Sequence, residues 1–337
     1  MTAAPDFDPG RLRAFLAARF GPGETTLERA GGGQSNPTWL VAHAARRMVL
    51  RKKPAGPILP GAHAVEREFR ALAALADTDV PVPRPILLHE DPEPLGTPFY
   101  LMERLDGRVF DDAALPGLAP AERRAILLAM AGTLARLHAL DPDAIGLGDF
   151  GRSGDYFARQ LSRWSRQLRA SPGPAIPDLD RLADWLAERL PPDDGRRAIA
   201  HGDFRLGNLM FAPDAPRVIA VLDWELATIG HPLADAGFAV MPWRTAPDEY
   251  GGLLGLDLAA CGLPSEADFL ARYLASGGAP GLAPFHVAFA LFRFAVIFVG
   301  IADRVRAGTA AGADAAAVAP LAARFAARGL AAAGLDA

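Results

Sequence analysis

The sequence predicts an α+β chain in two lobes, a small β-rich N-lobe and a larger, mainly helical C-lobe. Two patterns predict it: the first third consists of short β-like runs broken by glycine and proline turns, and the remainder carries apolar residues at helical spacing. A third observation marks the exception: residues 198–224 hold two short β-like runs flanking a loop. The expected division is 1–104 and 105–337, and a cleft between two lobes is a common place for a ligand.

Arg11 to Phe20 has helical periodicity, stopped by Gly21-Pro22-Gly23. Leu27 to Ala30 and Thr38 to Ala42 flank a glycine-rich turn and suggest a hairpin. Met48 to Arg51 reads as a third strand, followed by a Pro/Gly loop from Pro54 to Gly61. From Ala64 to Leu75, apolar residues at 65, 69, 72 and 75 form a helical stripe. Prolines make Val80 to Pro85 an extended connector. Ile86 to His89 and Phe99 to Met102 read as two further strands, and the chain leaves the sheet near Glu103 to Gly107. Helices are expected over Pro120 to Ala139, Tyr156 to Ala170, Asp178 to Leu190, Ser265 to Ser276, Ala283 to Val305 and Ala313 to Ala333.

Half of the 337 residues are hydrophobic, enough for a sizeable core. The net charge is -4 and no long basic run appears, so nucleic acid is not an expected partner. Cys261 is the only cysteine, which suits a reducing, cytoplasmic setting. Asp6 and Asp8 near the start, with no apolar core behind them, argue against a secretory signal. The most apolar stretch, Phe285 to Ala302, is interrupted by His286 and Arg293 and reads as a buried helix rather than a membrane span.

The chemistry concentrates in His201-Gly202-Asp203-Phe204-Arg205-Leu206-Gly207-Asn208 and in Val218 to Glu225. Phosphoryl transfer needs a carboxylate to orient the attacking hydroxyl, and an amide and a second carboxylate to hold magnesium on the nucleotide phosphates. Asp203 fits the first role. Asn208, five residues on, and Asp223, at the end of a run that reads as a buried strand, offer the hard oxygen ligands. His201 reads as a brace for this loop, because no second histidine lies at zinc-binding spacing. Gly33-Gln34-Ser35-Asn36 would form the turn over the phosphates, glycine letting backbone amides approach the phosphate oxygens. Strand alternation puts Arg51 and Lys53 on one face and Lys52 on the other. Glu68 is the first partner expected for Arg51, with Lys53 and Glu66 as the second pairing. The whole reads as an ATP-dependent kinase of a small hydroxyl compound.

Together these residues resemble the aminoglycoside phosphotransferase/choline kinase-like family, which shares the protein-kinase-like fold. Gln34-Ser35-Asn36-Pro37-Thr38, Leu50-Arg51-Lys52-Lys53-Pro54 and Asp155-Tyr156-Phe157 resemble the branch related to kinase-like domains fused to certain acyl-CoA dehydrogenases. The resemblance spans about residues 10 to 310. It implies a five-stranded N-lobe, a hinge near Met102 to Leu105 with Glu103 on the nucleotide side, and MgATP as cofactor. It also implies Asp203 as base, Asn208 and Asp223 as metal ligands, and Asp235 as a buried aspartate steadying the lower lobe. Arg51 stands where many members have lysine, which keeps the charge and widens the fork.

For the acceptor, Gly151 to Arg169 carries Arg152, Arg159, Arg163, Arg166 and Arg169 against Asp155 alone. That balance favours an anionic or acyl-type substrate, a hydroxy acid or hydroxyacyl-CoA, over a polycationic antibiotic. The alternatives are an aminoglycoside phosphotransferase, a pseudokinase that binds nucleotide without turnover, and an ordinary helix with a solvated arginine face. No membrane partner is expected. A protein kinase is disfavoured, since no Asp-Phe-Gly or Ala-Pro-Glu segment marks an activation loop.

Overall fold

A computed structural model describes residues 5–30, 36–56, 63–152, 154–308 and 315–335. The chain divides into two compact units, Met1–Gly107 with Ile219–Leu226, and Arg108–Val218 with Ala227–Ala337. Residues 219–226 thus pack with the first unit although the linear reading put them in the second region.

The first unit opens with helix α1 (Pro9–Phe20). Asp8 caps it by accepting a hydrogen bond from the Gly10 amide at 2.7 Å, and Gly21 at φ +91° ends it. The strands are β1 (Thr25–Arg29), β2 (Thr38–His43) and β3 (Arg46–Lys52). After helix α2 (Val65–Leu75) come β4 (Pro85–His89) and β5 (Phe99–Glu103). They form one antiparallel sheet in the order β1-β2-β3-β5-β4, the five-stranded sheet the resemblance implies. Leu12 and Leu16 of α1 join a buried cluster with Val41, Met48, Leu50 and Leu101. The period of two on β3 sets the rest. Met48, Leu50 and Lys52 are buried together, and Lys52 meets Asp6 at 2.6 Å with its ammonium over the Phe7 ring. Arg51 therefore projects from the opposite face.

The second unit contains helices α3 (Pro120–Ala139), α4 (Tyr156–Arg169) and α5 (Pro177–Glu188). The short strands β6 (Ala198–Ala200), β7 (Leu209–Phe211), β8 (Val218–Val221) and β9 (Thr228–Gly230) follow, β8 carrying the chain back to the first unit. β6 pairs antiparallel with β9. The remainder is helical: α6 (Pro232–Ala239), α7 (Leu258–Cys261), α8 (Glu266–Ala275), α9 (Pro284–Arg306), α10 (Ala315–Val318) and α11 (Leu321–Ala332). Sequence periodicity gave no sign of α6, because all eight of its residues are buried and it has no polar face. The alanine-rich tail is two helices rather than one, interrupted next to Pro320, which has no N–H to donate within a helix.

α9 is the core helix of this unit, with 78% of its most apolar window buried. It packs against α6 so closely that a Cβ on Gly237 would lie 2.6 Å from the carbonyl oxygen of His286. At the first turn of α9, the His286 ring accepts a hydrogen bond from the Ala283 amide at 3.0 Å and is 6% exposed. Burial pushes its pKa down to about 4. The unfolded chain therefore takes up a proton near pH 6.5 that the folded chain refuses. Stability is expected to fall as pH drops from 6.5 towards 4, by up to about 3 kcal/mol from this group. His231, also held below its ordinary value by burial, adds in the same direction. Urea midpoints between pH 7.5 and 4.5 should show the loss, and His286→Gln should flatten it.

Candidate active site

The first unit brings together one cation and three carboxylates. In the sheet, Arg51 on β3 faces Tyr100 on β5. α2 supplies Glu68 from its first turn, and the turn after β8 supplies Asp223 and Glu225. That turn is tied to the unit by the Val221 amide, which donates to the Pro81 carbonyl at 2.8 Å. Arg51 Nη2 lies 3.0 Å from Glu68 Oε1 and 2.9 Å from Asp223 Oδ1. The Tyr100 hydroxyl donates to Glu68 Oε2 at 3.0 Å. Lys53 pairs separately with Glu66, the alternative pairing, and it is Arg51 that reaches Asp223. Burial opposes the Arg51 charge, but Glu68, Tyr100 and Asp223 outweigh it and raise its pKa above the ordinary value. Burial pushes the Glu68 carboxyl up to about 7 against the pull of Arg51. Asp223 sits at φ +64°, a conformation that costs a non-glycine residue roughly 1–3 kcal/mol and that concentrates at functional sites. Glu68, Asp223 and Glu225 each offer a carboxylate oxygen within 4.8 Å of the others. One guanidinium among three carboxylates leaves a negative balance that suits a hard divalent cation.

The second unit builds the loop after β6. Gly202 at φ +82° turns the chain. The carboxylate of Asp235, in the first turn of α6, accepts from the amides of His201 at 2.6 Å and Gly202 at 3.0 Å. Asp235 is 2% exposed. Burial would raise its pKa, but His138 and His201 together hold it below the ordinary range. His138 Nε2 lies 3.5 Å from Asp235 Oδ2, while its Nδ1 meets the Tyr273 hydroxyl at 2.8 Å. The Ala279 amide donates to that same hydroxyl. On the other side of the loop, Arg293 Nη2 donates to the Gly202 carbonyl at 2.6 Å, and its guanidinium lies over the Trp164 ring. The Asp203 amide donates to His201 Nδ1 at 3.2 Å, the bracing role expected of that histidine. Asn208 Nδ2 donates to both the carbonyl and Oδ2 of Asp203, each at 2.8 Å. Its nitrogen is thereby committed to Asp203, leaving Oδ1 as the atom that could ligate a cation.

A phosphotransferase enzyme family model, APH, matches residues 26–286. The chain belongs to this family. Mouse acyl-CoA dehydrogenase family member 10 is 44% identical over 288 residues, which are 84% of this chain and 27% of that protein. Across the mouse, chicken and human acyl-CoA dehydrogenase family proteins 10 and 11, the chain spans 27% to 40% of the relative's length. Among solved structures, a Ralstonia eutropha protein provisionally named an aminoglycoside phosphotransferase superposes with a TM-score of 0.88. It is 43% identical, with 97% of this chain and 98% of that one covered. A thermostable mutant of aminoglycoside phosphotransferase APH(4)-Ia, solved with AMP-PNP and hygromycin B, shares the fold at 18% identity. Its TM-score is 0.62, with 94% of this chain and 98% of that one covered.

In this family member, Gly33, Gln34 and Ser35 lie outside the described residues. Asn36 is buried, its Oδ1 3.1 Å from His63 Nδ1. The Glu103 amide donates to the Arg84 carbonyl at 2.8 Å, a bond to the chain preceding β4 at the edge of the sheet. The arginines of the 151–169 segment separate into two sets. Arg163, Arg166 and Arg169 are exposed on α4, the solvated face of an amphipathic helix, whereas Arg152 and Arg159 line a cavity. Sequence reasoning missed three supporting side chains: Tyr100, His138 and Arg293. Arg293 had a signal, since it interrupts the most apolar run in the chain and a charge there needs a partner. Tyr100 and His138 stand in apolar patterns and gave none.

Proposed function

We propose that this family member transfers the γ-phosphoryl group of ATP to a hydroxyl of a small molecule, with hydroxy acids or hydroxyacyl-CoA as the first substrate class. The observation that carries the reading is the loop after β6, where Asp203 is oriented by Asn208 and the backbone is clamped by Asp235. In this reading Asp203 accepts a hydrogen bond from the acceptor hydroxyl and takes its proton late in transfer. The hydroxyl oxygen forms a bond to the γ-phosphorus as the bond to the β,γ-bridging oxygen breaks, and ADP leaves. Asn208 and Asp223 would hold magnesium, which when bound would neutralise phosphate charge. Arg51, kept in place by Glu68, contacts the phosphates, and Gly33 to Asn36 cover them with Glu103 on the nucleotide side. The division into residues 1–104 and 105–337 would then assign nucleotide holding chiefly to the first part and acceptor binding to the second. The setting is cytoplasmic, with ATP and magnesium to hand. The identity to acyl-CoA dehydrogenase family proteins supports an acyl acceptor.

A screen with MgATP decides the acceptor. Turnover of hydroxy acids or their thioesters is expected; turnover of aminoglycosides with none of these compounds would overturn the substrate reading. A second measurement tests the nucleotide side. With its carboxyl near pH 7, Glu68 loses its charge as pH falls from 8 to 6 and loosens its hold on Arg51. The KM for ATP is expected to rise several-fold over that range. Glu68→Gln should show the high KM at both pH values with the same melting temperature to within a few degrees. A KM that follows pH equally in both proteins would exclude Glu68 as the source.

A further inference from the structure

The loop between α6 and α7 holds an aromatic side chain in a strained position. The loop is tied by its own backbone: the Gly252 amide donates to the Ala246 carbonyl at 3.1 Å, and the Leu254 amide to the Thr245 carbonyl at 2.8 Å. Glu249, 2% exposed, fastens it to α11. The Glu249 carboxylate accepts from Arg324 Nε at 2.9 Å, from Arg328 Nε at 2.8 Å and from the Ala246 amide at 2.8 Å. Tyr250 follows this anchor at φ +68°, with Gly251 at φ +75°. A non-glycine residue is strained there, and such strain concentrates at active sites and ligand clamps. Glycine would make the same turn without strain, so the tyrosine ring is the part that needs a reason.

Core packing accounts for only part of the ring. It rests on the buried Phe294 and Phe298 of α9, with centroids 5.8 and 5.7 Å away, and both of those rings pack in turn on Phe325. Tyr250 nevertheless stays 44% exposed. Its neighbours connect it to the loop that carries Asp203. Burial opposes the charge of Arg205, but Tyr250, Asp203 and Asp111 outweigh it and hold the Arg205 pKa above its ordinary value. Arg205 Nε is 3.5 Å from Asp203 Oδ2. Gly207, just before Asn208, leaves the space for this meeting: a Cβ there would lie 2.7 Å from Arg205 Nη1 and 2.8 Å from Asp111 Oδ1. A Cβ on Gly251 would lie 3.7 Å from the Asp111 carbonyl oxygen. Tyr250, Asp111, Arg205 and Asp203 therefore share one border within the second unit.

We infer that Tyr250 is a specificity-determining residue of the acceptor site, its ring forming an apolar wall for the alkyl chain of a hydroxy acid or its thioester. The inference rests on the phosphoryl-transfer reading for the place of the acceptor hydroxyl at Asp203, and adds the side chain that selects chain length. The occupant follows from what the ring offers. It is apolar area left in water, fixed from behind by two phenyl rings, and a tyrosine ring loses little conformational freedom when a ligand covers it.

Calorimetry on the full chain with magnesium and AMP-PNP tests this with 3-hydroxyoctanoate and 3-hydroxybutyrate, each as the free acid and as the CoA thioester. The longer member of at least one pair is expected to bind about tenfold more tightly, which corresponds to roughly two methylene groups taken from water. Tyr250→Ala should remove that preference while binding the shorter member as the wild type does. Tyr250→Phe keeps the ring and should keep the preference. Leu274→Ala, which alters a similarly exposed apolar residue on α8, should also leave it unchanged. A preference that survives Tyr250→Ala, no preference in the wild type, equal weakening of both chain lengths, or no binding by any of the four probes would overturn the inference. Transfer from MgATP to the same compounds, measured alongside, judges the other reading separately. Binding that depends on Tyr250 with no transfer would keep the wall and remove the transfer reading for these acceptors. Transfer with a chain-length preference indifferent to Tyr250 would do the reverse.

Discussion

Asp203→Asn is expected to lower kcat roughly a thousandfold while leaving ATP affinity and the melting temperature nearly unchanged. The expected size follows from the worth of a positioned general base, about 10²–10⁴ in rate, together with the positioning that a carboxylate gives the hydroxyl. The structure makes the comparison a clean one. Asp203 Oδ2 accepts from Asn208 Nδ2, and the new amide oxygen can accept in its place. The Asp203 amide still meets His201 Nδ1, and Arg205 Nε lies 3.5 Å from the carboxylate, at the limit of an interaction. Shape and local hydrogen bonding are therefore preserved, and what is removed is the ability to take a proton. Steady-state kinetics with the best acceptor, nucleotide titration and a thermal melt separate the outcomes. Full activity in the variant would remove Asp203 from its role. Tight MgATP binding by both proteins with no transfer by either would favour the pseudokinase reading.

The parts of the site that the sequence made legible are those written in short-range spacing. Asp203 and Asn208 are joined because one loop and a single 3-10 turn bring residues five apart together. Alternation on β3 put Arg51 and Lys53 on one face and α2 offered Glu66 and Glu68, and the choice of Arg51 with Glu68 followed the kinase pattern of a strand cation paired to a helix glutamate. Lys52 was assigned to the other face by that alternation and is buried there against Asp6. Other features depend on separations that no periodicity encodes. The His138–Tyr273 contact joins residues 135 apart, and the Arg293–Gly202 bond joins residues 91 apart. The return of residues 219–226 to the first unit is held by contacts distant in sequence, among them the Val221 amide on the Pro81 carbonyl, the Arg51–Asp223 pair and packing of the Trp224 turn against α2. The α4 arginines show a further limit. Composition counted five, but the helix turns three to solvent and leaves Arg159, with Arg152 ahead of it, on the cavity wall.

Asp235→Ala is expected to cost about 3–5 kcal/mol of stability and to lower kcat sharply. The carboxylate is 2% exposed and takes two backbone N–H donors, from His201 and Gly202. Removing it strands both amides in the interior and takes away the carboxylate that His138 Nε2 faces. An unsatisfied buried donor costs roughly 1–3 kcal/mol, and loss of one partner from a buried charged group costs more. Asp235→Asn is the sharper test of cause. It keeps the volume but turns one acceptor into a donor, so one of the two amides meets an N–H instead of an oxygen. About half of the alanine penalty is expected, with kcat falling because Gly202 leads directly into Asp203. KM for ATP should move little, since the loop's own side chains are intact. The acid limb gives an independent check. Asp235 is held below its ordinary pKa, so its stabilisation is present above about pH 4 and disappears as pH falls through the folded value. Both variants should lose that part of the acid dependence while keeping the part due to His286, which acts between pH 6.5 and 4. If Asp235→Asn melts with the wild type and keeps its kcat, the two amides draw their support from elsewhere, and the clamp on the loop after β6 belongs to Arg293 alone.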